Sequence, residues 1–88
     1  MMTKLGDNNK MNNENRYYKA TIAAAFNLPE GTTFTFHDLT KYIYFSCSTK
    51  NQRLAGQRFA YLVKHANVPF IIIDPVSPII YQRIQGGN

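Results

Sequence analysis

Apolar residues recur along this chain with two spacings, one helical and one alternating. Tyr18, Ile22, Ala25 and Phe26 stand at i, i+4, i+7 and i+8, which predicts a helix over 15–27 with these four as its core stripe. Asn13 or Asn15 can cap it. Tyr17, Ala20, Ala23 and Ala24 leave the remaining flank small and smooth, either a seat for a second helix or ordinary alanine-rich surface. Leu28-Pro29-Glu30-Gly31 breaks the helix. Thr32 to Phe36 then alternates with a period of two and predicts a short strand. Thr35 or Asp38 can open a short helix, about Phe36 to Phe45, with Leu39, Tyr42 and Ile43 facing inward.

After the turn Ser46-Cys47-Ser48, Thr49 and Gln52 fit a capping box, and a longer helix follows over 49–65. At about 100° per residue, Ala55, Phe59, Leu62, Val63 and Ala66 share one stripe. Lys50, Arg53, Leu54, Gln57, Tyr61 and Lys64 occupy the other side, with Arg58 and His65 on its shoulder. From Ser48 to Ala66 there is no acidic residue. Gly56 lies on the edge of the packed stripe, where it suits a close helix–helix approach. Asn67-Val68-Pro69 ends the helix. Phe70-Ile71-Ile72-Ile73 and Ile79 to Ile84 read as two strands of a hairpin around the turn Asp74 to Pro78. The first strand is apolar on both faces, more than a small domain needs to bury, so a second protein surface such as a homodimer partner is one reading. The other is that the fold covers both faces itself. Tyr18, Ile22, Phe26, Leu39, Ile43, Phe59, Leu62 and Val63 are the expected core.

The element order is helix, short strand, short helix, tight turn, longer basic helix and hairpin. In this order, residues 15–85 resemble a winged helix-turn-helix domain: an α+β fold of three helices, a short strand and a C-terminal two-stranded wing. The resemblance implies that Thr49–His65 is a recognition helix for the major groove of double-stranded DNA, and that Phe70–Ile84 is the wing. One departure stands out. Wing tips often carry cations, but Asp74 to Pro78 has none, and Arg83 is the only basic residue of the hairpin.

Charge adds weight to that reading. Ten Lys and Arg oppose five Asp and Glu over 88 residues, a formal charge of +5. Residues 1–14 are Asn-rich and read as a disordered tail; there Lys4 and Lys10 balance Asp7 and Glu14, so the excess belongs to residues 15–88. Residues 86–88 are expected to fray. A basic domain of this size points to a polyanion, nucleic acid before membrane surface. Cys47 is the lone cysteine, no apolar run is long enough for a membrane span, and the N-terminus lacks a signal-peptide core. A cytoplasmic setting is the expectation.

The candidate chemistry is that of binding. Arg53 and Arg58 can each grip guanine, and Gln57 adenine, through paired hydrogen bonds. Lys50, Lys64, Lys41 and Thr49 suit phosphate, with Arg16 and Lys19 in reserve. Leu54, Tyr61 and Arg83 are further contact candidates for nucleic acid or a protein. His37 and His65 have no carboxylate or cysteine at a metal or nucleophile spacing, and the glycines match no phosphate loop, so neither an enzyme nor a cofactor is expected. The leading expectation is a small DNA-binding regulator acting through occupancy, dimerisation or recruitment. The alternatives are a protein-gripping module using Leu54, Tyr61 and the apolar hairpin 70–84, and a binder of RNA or single strands by aromatic stacking.

Overall fold

The structure, a computed structural model, describes residues 13–85. The tail expected over 1–14 lies outside them as far as residue 12, as does the expected fraying at 86–88. The elements are α1 (Asn13–Phe26), β1 (Thr33–Phe34), α2 (Phe36–Thr40), α3 (Thr49–His65), β2 (Phe70–Asp74) and β3 (Ile80–Arg83). The fold is α+β: three helices packed with a three-stranded antiparallel sheet of order β1-β3-β2. This arrangement is compatible with a winged helix. Thr33 and Phe34 pair with Gln82 and Tyr81, while Phe70, Ile71 and Ile72 pair with Arg83, Gln82 and Tyr81. A register shift between Ile72 and Asp74 ends the regular ladder.

α1 begins earlier than its pattern suggests, because Asn13 and Glu14 belong to its first turn. A carboxylate there favours the helix dipole, and Glu14 also reaches Arg58 on α3 at 2.9 Å. The buried line is Tyr17, Thr21 and Ala25; Ala25 is as expected, but Tyr17 and Thr21 stand one residue out of phase with the expected Tyr18 and Ile22. Thr21 is the reason. Its hydroxyl donates to the Tyr18 carbonyl at 2.6 Å, so a polar residue enters the core already satisfied. Phe26 turns outward, 44% exposed, with its ring edge-on to Phe70.

α2 is held open at its start by a reciprocal cap: Asp38 N–H donates to Thr35 Oγ1, and Thr35 N–H donates to the Asp38 carboxylate. It stops at Thr40 rather than near Phe45, since the run Tyr42 to Phe45 consists of aromatics and isoleucine that lose rotamer freedom in a helix. Tyr42 consequently faces solvent rather than the core. α3 has the expected bounds but a different cap. Ser48 Oγ accepts from Asn51 N–H, and Gln52 is drawn back to donate to the Cys47 carbonyl. The Thr49–Gln52 box therefore does not form.

The core is more aromatic than the helix pattern implies. Phe34, Phe59, Phe70 and Tyr81 are buried together, with Leu39 and Ala25 beside them. Phe59 sits at the centre, its ring centroid 5.1 Å from Tyr81, 5.8 Å from Phe70 and 6.2 Å from Phe34. Of the expected core, Leu39 and Phe59 are fully buried, Tyr18, Ile22 and Val63 pack on the rim, and Ile43 and Leu62 are only half-buried. Beyond the sheet, Ile71, Ile73 and Val76 face solvent.

Candidate nucleic-acid interface

The exposed side of α3 carries the residues that the helical projection places there. Thr49, Lys50, Arg53, Leu54, Gln57, Tyr61 and Lys64 are all exposed, while Ala55 and Phe59 anchor the opposite side. Among the described residues, Lys50, Arg53 and Lys64 have no ion-pair partner. The face therefore presents three uncompensated cations, an amide and an aromatic ring along one helix. Ring centroids of Tyr61 and His65 are 4.1 Å apart, so the last two turns end in a paired aromatic shelf.

Gly56 sets how this face meets the rest of the fold. A Cβ there would lie 3.3 Å from Phe36 Cδ2, so the start of α2 presses directly on α3, as its glycine implies. The side chains around that contact, with the β2–β3 turn, frame a cleft of about 400 Å³. Arg53, Gln57 and Ala60 form one wall, Phe36 and His37 another, and Ser77, Pro78 and Ile79 the third. The turn thus stands beside the cationic face without adding a charge to it. Asp74 is turned into its own loop, its carboxylate accepting the Val76 N–H at 3.0 Å.

Three expected contact residues lie elsewhere. Arg58 is bound to α1: its guanidinium donates to Glu14 at 2.9 Å and to Asn15 Oδ1 at 3.0 Å, and lies 4.0 Å over the Tyr18 ring. A guanidinium so engaged fastens two helices through Nη1, although the side chain is still 43% exposed. Arg83, half-buried, is likewise engaged within the fold. It donates to the Ile84 and Phe26 carbonyls and lies near the Phe26 and Phe70 rings. Lys41 follows α2, within 3.7 Å of Asp38, away from the α3 face. Of the reserve cations, Arg16 lies over the Phe45 ring and Lys19 is exposed on α1.

Other reactive groups give no competing site. Burial pushes the Cys47 thiol up, and the Glu14 charge adds to this, so thiolate is disfavoured. Among the described residues, no cluster of three or more His, Cys, Asp or Glu could hold a metal ion, and no helix is long and apolar enough to cross a membrane.

Fold and surface together define an α+β domain whose α3 carries, among the described residues, an uncompensated basic face. Residues 19–77 match the family described as "Domain of unknown function (DUF1413)", and the chain belongs to that family. Among solved structures it is similar to one described as "SCCmec type IV LP1413 - nucleic acids binding protein", with a TM-score of 0.76 and 36% identity, over 85% of this chain and 91% of that one. No curated protein matches the chain.

Proposed function

We propose that this protein binds nucleic acid through the exposed face of α3, and that it acts by occupancy rather than catalysis. The observation that carries this reading is the row Lys50, Arg53, Gln57 and Lys64, exposed on one helix with no carboxylate among the described residues to neutralise its cations. The description of the similar solved structure points the same way. In this reading α3 enters the major groove of duplex DNA as a recognition helix. Arg53 and Gln57, at mid-helix, reach base edges, while Thr49 and Lys50 at one end and Lys64 at the other meet phosphate. Such a protein regulates transcription by what it covers. The outer face of the hairpin, with Ile71, Ile73 and Val76 exposed, is where the same reading seats a second copy. Sedimentation equilibrium showing only monomer at micromolar concentration would remove that element.

A second reading rests on the Tyr61–His65 shelf. Tyr61 is 65% exposed, and an exposed ring flanked by cations can stack an unpaired base. Anisotropy titrations of a duplex and of one of its strands, each at two salt concentrations, separate the two. The duplex reading predicts tighter duplex binding, with log K falling against log salt at a slope of about −2 to −3 for two to three phosphates. It also predicts that Tyr61→Ala leaves duplex affinity nearly unchanged. Tighter single-strand binding that loses about 1–3 kcal/mol in Tyr61→Ala favours stacking. If neither form binds at low salt, nucleic-acid binding fails, and the protein-gripping use of Leu54, Tyr61 and the hairpin 70–84 takes its place.

A further inference from the structure

Among the described residues, nothing fills the space over the smooth alanine flank of α1, where Ala23 is exposed and Ala20 and Ala24 are half-buried. α2 stops at Thr40, and the segment after it meets α1 again at Phe45, whose ring lies edge-on to Tyr17 and beneath Arg16. Ala20, Ala23 and Ala24 are too short to fill the gap, which leaves a groove of about 600 Å³ between α1 and residues 41–45. Leu28 and Pro29 close one end. Tyr42 and Tyr44 stand at the side, 59% and 103% exposed. The groove shares no lining residue with the exposed face of α3, so its use does not depend on the reading given above.

We propose that this groove docks an amphipathic helix of a partner protein, apolar along one face and acidic on its flanks. The floor decides the first half. Alanines let another helix approach closely, and the stretch Ala20 to Asn27 spans about two turns, enough for anchors at i, i+3 or i+4, and i+7. Apart from Asn27, the α1 side of the groove offers no polar side chain to a phosphate or a base edge. The rim decides the second half. Arg16 is held 4.6 Å over Phe45 at one end, Lys19 lies one turn before Ala23, and Lys41 lines the opposite side. Against these three stand Asp38, already within 3.7 Å of Lys41, and Glu30 just past Pro29. A second copy of this chain would therefore bring more cations than free carboxylates to the contact, whereas an acidic flank complements it.

The probe is a designed helical peptide of about 18 residues with leucines on one face and glutamates on the flanks. Its control carries lysine in place of glutamate. Both are titrated into the full-length ¹⁵N-labelled chain. The acidic peptide is expected to move the amides of Ala20, Ala23, Ala24 and Tyr44, and to bind at least about tenfold tighter than the lysine peptide. Ala23→Glu should weaken it about tenfold or more, Ala23→Ser should not, and both variants should melt like the parent because Ala23 is exposed. Unmoved groove amides at millimolar acidic peptide would overturn the proposal, as would equal binding of both peptides. So would an oligonucleotide that moves the same amides, or a self-association in sedimentation that Ala23→Glu abolishes.

Discussion

Replacing Gly56 with alanine sets two effects against each other. Glycine inside a helix costs about 1 kcal/mol relative to alanine. The new methyl group would meet the Phe36 ring at 3.3, 3.5 and 3.7 Å. The last two are ordinary contacts, and only the first requires the ring to give by a few tenths of an ångström. Phe36 can give, since it is only partly buried and lines the cleft beside α3. We therefore expect Gly56→Ala to stabilise the protein by about 0.5 kcal/mol, the helix gain less the adjustment. That corresponds to a rise of about 2–4 °C in melting temperature for a domain of this size. Thermal melts followed by circular dichroism would resolve it. In a Phe36→Leu background, where the obstructing ring is gone, the gain should approach the full ~1 kcal/mol. A loss of 1 kcal/mol or more on Gly56→Ala, undiminished by Phe36→Leu, would refute the argument.

Phe59→Ala removes the ring at the centre of the aromatic core and should cost about 3–5 kcal/mol, enough to unfold much of so small a domain in denaturant titrations; a variant melting like the parent would displace Phe59 from the core. Asp38 gives a pH dependence: the Thr35 N–H, ahead of the Thr35 hydroxyl and the Lys41 charge, holds its carboxyl below the ordinary value. A depressed pKa contributes stability above the unfolded value near 4, and that contribution is lost as pH falls through the folded one. Melts at pH 7 and across the acid range should therefore show a smaller acid-induced loss in Asp38→Asn than in the parent.

What the sequence made legible follows the range of the interactions. The bounds of α3, its stop and its exposed face rest on local periodicity, and the structure keeps them; of the expected packed stripe, Ala55 and Phe59 are buried, whereas Ala66 is exposed as the C-cap. The Thr35–Asp38 cap is equally local. The α1 phase was not legible, because Thr21 looks polar until its hydroxyl is seen bonding to Tyr18. The core was undercounted because Phe34, Phe70 and Tyr81 come together only when β3 pairs between β1 and β2. For the candidate site the same division holds. Lys50, Arg53, Gln57 and Lys64 are exposed because helix geometry dictates it. The engagement of Arg58 depends on Glu14 and Asn15, 44 and 43 residues away, and that of Arg83 on Phe26, 57 residues away. The helical projection sets Arg58 only on the shoulder of the face, and no local pattern shows that either arginine is engaged elsewhere in the fold. The Tyr61–His65 shelf did have a local signal, aromatic rings at i and i+4.

Two arginines on one helix therefore provide the most direct test of a nucleic-acid interface on α3. Arg53 faces outward, while Arg58 is bound to α1. Arg53→Ala and Arg58→Ala are compared with the parent by anisotropy at low salt, using whichever of duplex or single strand binds tighter. Melting temperatures are measured in parallel. The account predicts that Arg53→Ala loses about 1–3 kcal/mol of binding, roughly five- to 150-fold, with stability intact. Arg58→Ala should melt earlier and keep its affinity within about twofold. An Arg58→Ala loss of affinity equal to or greater than that of Arg53→Ala, or no loss in either variant, would contradict it.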